Sequence, residues 1–193
     1  MAGGYFITLC SSRRESLFGE IINQEMKLSC TGEIVKEWWW KLKDNFPDVE
    51  LDSYVIMPNH VHGIIILSEK GEKCVGAIHE LPLQNKRLQR RRMLLPKIIG
   101  YFKMNSAKEI NRLRDARTTS LWQRNYYEHI IRNENELDKI REYIQNNPLK
   151  WEFDRENPLC KNFNSPHDLY WKGIYDPVGG LHEVPPQNSG RCL

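Results

Sequence analysis

The sequence predicts an α+β fold, one sheet with helices packed on it. Three observations lead there. Two apolar stretches of strand length stand almost end to end in "ELDSYVIMPNHVHGIIIL". A third opens the chain in "YFITLCSS", and two later segments repeat their apolar residues at helical spacing instead. At 193 residues, 40% of them apolar and 27% charged, the chain is long enough to bury a core of its own.

Taken in order, Tyr5–Ser12 reads as the first strand, bounded by the polar "SSRR". The segment from Leu17 begins with a short hairpin, its turn expected at Thr31-Gly32. It continues as a helix from Ile34 to Leu42, with Ile34, Trp38 and Leu42 on one face. Trp38, Trp39 and Trp40 cannot all face one way on a helix, so one or two are core and the third is a staple or contact surface. A strand, a kink at Pro58-Asn59 and a second, very apolar strand follow. Near-continuous apolarity in that second strand implies a central position covered on both faces. Residues 69–92 are polar, irregular and basic. From Leu95 a helix is expected through Ile98, Phe102, Ala107 and Ile110, and "SLWQRNYYEHIIR" reads as another strand. "NENELDKIREYIQNNP" carries the clearest helical pattern: an acidic start that suits the dipole, an apolar face of Leu137, Ile140 and Ile144, and a stop at Pro148.

Composition narrows the function classes. No apolar run is long enough to span a bilayer and no signal peptide is present, so a cytoplasmic protein is expected. The five cysteines are odd in number and contain no CxxC pair, which argues against a disulfide framework or structural zinc. Net charge is only +3, but Lys86 to Arg117 hold eleven Lys or Arg against Glu109 and Asp115, a local net of +9 that leaves about −6 on the rest. A basic segment on an acidic body suits a phosphate backbone, although a solvated helix face has the same composition.

Two histidines at the mouth of the apolar strand carry the chemical argument. Residues i and i+2 of a strand share a face, so His60 and His62 project side by side and can chelate one metal ion without filling its coordination sphere. The last helix offers a second pair. Tyr143 and Asn147, at i and i+4, stack beside the Ile140/Ile144 stripe that must face the sheet. A tyrosine can serve as a covalent nucleophile and an amide oxygen can ligate a metal, though Pro148 biases Asn147 away from helical backbone. Singly, each feature has a commoner structural explanation, core packing above all.

Together "MPNHVHGIIIL", "SLWQRNYYEHIIR" and "YIQNNP" resemble, in order, the motifs of the REP-associated tyrosine transposases, within the HUH single-tyrosine transposase superfamily. The resemblance runs from about Tyr5 to Trp151. It implies a ferredoxin-like or RRM-like antiparallel sheet with helices packed on one face. It also implies a metal-dependent enzyme that cleaves and rejoins single-stranded DNA at palindromic hairpins, where the tyrosine forms a 5′-phosphotyrosine and frees a 3′-OH. On this resemblance Tyr143 is the nucleophile, and His60 and His62 ligate Mg²⁺ or Mn²⁺. Asn147 stands where related insertion-sequence enzymes have a glutamine. Tyr126 and Tyr127 remain open as alternative nucleophiles, and His129 as a structural or DNA-contacting residue. Lys97, Lys103, Lys108 and Arg112 are candidate DNA-backbone contacts, with Arg90, Arg91 and Arg92 adding to an electrostatic funnel. Tyr101 is a candidate for base stacking and Phe102 for the helix core. The expected organisation is one transposase domain over residues 1–176, with a basic insertion at about 72–92 and a disordered tail over 177–193. Monomer and homodimer both stay open. The main rival is a hairpin-binding module of the same fold without cleavage. A histidine-triad hydrolase fails because residue 64 is Ile64.

One feature lies outside this scheme. "VGAIHELPLQ" (Val75–Gln84) recurs as "VGGLHEVPPQ" (Val178–Gln187) between unrelated flanks. The first peptide can be encoded by GTAGGGGCAATTCATGAATTGCCCCTAC and the second by GTGGGGGGACTTCATGAAGTCCCCCCAC, each nine codons plus the first base of the Gln codon. Both strings are their own reverse complements. Two explanations stay open, palindromic DNA inserted into the gene and a duplicated peptide whose codons happen to allow such pairing; on the first, His79 and His182 are passengers rather than ligands.

Overall fold

The computed structural model describes residues 3–68, 94–115, 120–154 and 156–160. The repeated peptides, Arg90, Arg91, Arg92 and the tail lie outside them. The elements are β1 (Gly3–Cys10), β2 (Gly19–Ile22), β3 (Glu25–Leu28), α1 (Cys30–Trp40), α2 (Leu42–Asn45), β4 (Val49–Ile56), β5 (His60–Leu67), α3 (Leu94–Leu113), β6 (Tyr127–Ile131) and α4 (Glu134–Asn146). Four strands form one sheet in the order β4-β5-β1-β6, antiparallel at every junction, and β2 with β3 forms a separate hairpin. The α+β class and the antiparallel sheet are those the sequence predicts. So is the interior place of β5, whose apolar run is buried along almost its whole length.

The period of two sorts the sheet into two faces. Ile7, Leu9, Val61 and Ile65 join one buried cluster with Val35 and Trp39 of α1 and Ile98 and Phe102 of α3. These are the expected helices packed on one face. Phe6 and Ile64 point the other way and form a second cluster with Ile140, Tyr143 and Ile144, so α4 lies across the opposite face. His60 and His62 share that face by alternation. Gly63, between His62 and Ile64, faces α1; a Cβ there would sit inside the Trp39 indole. Glycine at this position lets the largest buried side chain lie flat on β5.

Two local expectations need correction. The hairpin turn is Asn23-Gln24, not Thr31-Gly32: both residues have positive φ (51° and 66°), as a tight β2–β3 turn requires. Thr31-Gly32 instead opens α1, where Ser29 caps the helix by accepting the Gly32 N–H at 3.2 Å. The core face of α1 is also rotated by one residue, onto Val35 and Trp39, with Leu42 continuing it from α2. Trp38 is half-buried and donates its indole N–H to Glu109 at 2.6 Å. Trp40 is the exposed one, bonded to the Tyr54 hydroxyl at 3.0 Å. Beyond α3, only Tyr127–Ile131 of the "SLWQRNYYEHIIR" segment is a strand, although Trp122 makes an isolated bridge to Ser11. Among the described residues no helix is long and apolar enough to cross a membrane.

Candidate active site

Tyr143 and His62 meet directly. The register sets Thr8 opposite His62 and Phe6 opposite Ile64, and the His62 ring stacks on Phe6 with centroids 5.3 Å apart. Across the sheet face, the Tyr143 hydroxyl lies 3.1 Å from His62 Nε2, a buried hydrogen bond. His62 Nδ1 is 2.9 Å from Thr8 Oγ1, so both ring nitrogens are engaged. When Nδ1 carries the proton and donates to Thr8, the Nε2 lone pair is turned toward Tyr143.

His60 has a fixed tautomer. Asn59, fully buried, donates from Nδ2 to the carbonyls of Glu156 (2.6 Å) and Arg14 (3.2 Å). Two carbonyl acceptors fix the amide orientation, so Asn59 Oδ1 is the atom 2.8 Å from His60 Nδ1 and accepts its proton. The lone pair of His60 is therefore on Nε2, and its ring centroid is 4.4 Å from that of His62.

The third donor comes from a segment that no periodicity marks. After α4 the chain turns through the 3-10 segment Pro148–Phe153 and delivers Asp154, buried, to the two imidazoles. One ligand atom each from His60, His62 and Asp154 lie within 4.8 Å of one another. Asp154 Oδ1 accepts the Glu156 N–H at 2.7 Å, whereas buried Oδ2 has no hydrogen-bond partner among the described residues. Leaving a buried carboxylate oxygen unsatisfied is costly unless a cation faces it. Asn147 is buried too, and its Oδ1 and Nδ2 are both unpartnered among the described residues. Pro148 does not pull it out of the helix: its φ and ψ are −60° and −43°. Two imidazoles and a carboxylate form a donor set that fits a divalent cation taking nitrogen and oxygen ligands.

Neighbouring groups hold this cluster. Arg141, two residues before Tyr143, grips both carboxylate oxygens of Asp52 on β4, at 3.0 and 2.5 Å, and ties α4 to the sheet. The same hydrogen bonds hold the Asp52 carboxyl below its ordinary range. Burial, with the adjacent Glu156 carboxylate, pushes the Cys10 thiol far up, so that sulfur stays protonated beside the site. Cys10 and Cys30 are free thiols.

The remaining candidates separate. Tyr127 lies on the histidine face with its ring 6.4 Å from Phe6, while Tyr126 packs against the core on the other side. His129 is 2.6 Å from Glu136 and joins β6 to the start of α4. Lys97, Lys108 and Arg112 are exposed on α3, behind the sheet as seen from the histidines. Lys103 corrects the expectation. Its ammonium donates to the carbonyls of Gln123 (3.0 Å) and Asn125 (2.9 Å), and burial pushes its pKa down to about 8. It fastens the segment before β6 rather than facing outward. Phe102 is core, and Tyr101 packs edge-on against Trp38 and Phe46. Sequence reasoning missed Asp154, Asn59, Thr8 and Arg141. Only Asn59 carried a signal, as the residue preceding a chelating histidine.

Comparison with known proteins bears on the family of the chain. Residues 88–147 match the family model "Transposase IS200 like", a span that holds Tyr143 and Asn147 and begins just after the first repeated peptide. An uncharacterized protein of Haemophilus influenzae is 43% identical over 158 residues, covering 79% of this chain and 84% of that protein. A second protein of that organism, whose name assigns it to the REP-associated tyrosine transposases, is 28% identical over 152 residues, covering 77% of this chain and 71% of its own length. A solved structure of a REP-associated tyrosine transposase bound to a REP hairpin has 20% identity and a TM-score of 0.46, covering 100% of this chain and 93% of that one. The chain belongs to the IS200-like transposase family.

Proposed function

We propose that this transposase cleaves and rejoins single-stranded DNA at palindromic hairpins, with Tyr143 as the nucleophile and a divalent metal, Mg²⁺ or Mn²⁺, held by His60, His62, Asp154 and Asn147. The observation that carries the reading is the 3.1 Å contact between the Tyr143 hydroxyl and His62 inside a buried cluster of metal-ligating donors. The phenol oxygen attacks the scissile phosphorus, the bond to the 3′ oxygen breaks, and the phenol proton is balanced on the departing 3′-OH. The strand is left joined through a 5′-phosphotyrosine, and the reverse attack by a 3′-OH rejoins it. A bound divalent ion would draw charge from the phosphate oxygens and lower the barrier to that attack. The protein's own contribution is positional: Phe6 and Thr8 hold the His62 ring, Asn59 holds the His60 tautomer, and Arg141 holds the helix that carries the tyrosine.

Tyr143 reaches His62 of its own chain. The exposed Lys97, Lys108 and Arg112 supply a basic surface on the far side of the sheet for the hairpin stem. The test uses a pool of end-labelled fold-back oligonucleotides, Mn²⁺ and a denaturing gel. A covalent protein–DNA band is expected with the wild-type chain and none with Tyr143→Phe. A band that survives in Tyr143→Phe would transfer the role to Tyr127, the other tyrosine on that face among the described residues.

A further inference from the structure

We propose that the hairpin taken by this site is a palindrome written twice in the enzyme's own gene, at Val75–Gln84 and Val178–Gln187; the proposal rests on the function proposed above and names its substrate. In a palindrome of this frame, first codon bases pair with first bases, and second bases pair with third bases. Third bases are largely free, so the burden falls on the first-base pairs. Val75 with Gln84, Gly76 with Leu83 and Ala77 with Pro82 each need G opposite C, and their codons supply it. His79 and Glu80 need C opposite G, and Ile78 with Leu81 needs A opposite T, both of which their codons permit. The second peptide meets every one of these conditions again.

The differences between the copies are the telling part. Ile78 becomes Leu181 and Leu81 becomes Val184. All Ile codons begin with A and all Val codons with G. The first exchange turns A into C only if leucine is written CTN, and the second turns T into G. One A·T pair is thereby replaced by one C·G pair. Protein chemistry gives no reason to couple two conservative apolar exchanges three residues apart, whereas a DNA stem requires it. Ala77 to Gly180 and Leu83 to Pro186 are second-base changes that face third bases, where the compensation is silent. Written with codons that pair, both copies keep the inner palindrome TTCATGAA and an outer arm of GTRGGGG, which folds as a stem with a CATG tip.

Their positions agree. One copy lies in the connection between β5 and α3, the other beyond Cys160, outside every described strand and helix. The family match begins four residues after the first copy ends. Insertions between elements add little loop-closure cost, so the gene can carry them.

Two measurements decide the matter. Reading the gene should return codons that pair along both arms; several third bases that break the pairing would overturn the proposal. Binding is then measured with Tyr143→Phe, which holds DNA without turnover, on three single-stranded oligonucleotides. These are the palindrome with flanks, a stem of equal length and composition in shuffled order, and the palindrome with one arm altered and the other changed to match. The native palindrome is expected to bind at least about tenfold tighter than the shuffled stem. Equal affinity for native and shuffled stems, with adducts formed on other hairpins of the pool, would overturn the substrate and leave the chemistry standing. Absence of an adduct on every hairpin, together with a tenfold preference for the native stem, would keep the substrate and remove the chemistry.

Discussion

At the residue scale, the site depends on which atom of each ring is left to act. Asn59 leaves His60 with its lone pair on Nε2 because both amide hydrogens are already committed to the carbonyls of Arg14 and Glu156. Outer hydrogen-bond partners of metal-ligating histidines typically contribute ten- to a hundredfold in affinity. Asn59→Ala is therefore expected to weaken Mn²⁺ binding by about that factor, measured by calorimetry on the folded variant. Unchanged affinity would make Asn59 merely structural. Asp154 predicts a pair of opposite effects. Its unpartnered buried Oδ2 costs on the order of 1–3 kcal/mol when no cation faces it. Asp154→Asn should raise the melting temperature in chelator and abolish the further rise that Mn²⁺ gives the native protein.

At the element scale, the tyrosine helix is held by packing of Ile140 and Ile144 and by the Arg141–Asp52 pair. The Asp52 carboxyl is depressed by its Arg141 hydrogen bonds. Its contribution is thus present above the ordinary carboxylate range and is lost as pH falls through the lower, folded value. Glu136, at the start of α4, behaves alike: burial opposes ionisation, but the Arg132 N–H and His129 outweigh it. Acid titration of thermal stability should therefore show a smaller loss for Asp52→Asn than for the native chain. On the other face, the fit of Trp39 over Gly63 leaves no room for a methyl group. Gly63→Ala is expected to cost about 1–3 kcal/mol in denaturant unfolding, as overpacked cores do.

At the scale of the whole molecule, the sheet separates two features: a face under α4 that carries Tyr143 and the His60–His62–Asp154 cluster, and a basic helix behind it. Much of this was legible in the sequence. Period two placed His60 and His62 together, and the apolar stripe of α4 turned Tyr143 to the face where it meets His62. The remainder was not legible for physical reasons. Asp154 caps the short 3-10 segment Pro148–Phe153, where no repeat says which way a side chain points. Lys103 looks identical to its exposed neighbours until the carbonyls of Gln123 and Asn125 close around it. The hairpin turn was sought at a glycine, whereas Asn23 and Gln24 adopt the left-handed backbone themselves. The measurement that bears most directly on the central claim is mass spectrometry of the trapped protein–DNA adduct after trypsin and nuclease. Cleavage after Arg141 and Lys150 isolates Glu142–Lys150, whose only tyrosine is Tyr143. A nucleotide mass on that peptide is the expected result. The same mass on Asn125–Arg132, which holds Tyr126 and Tyr127, would contradict the account.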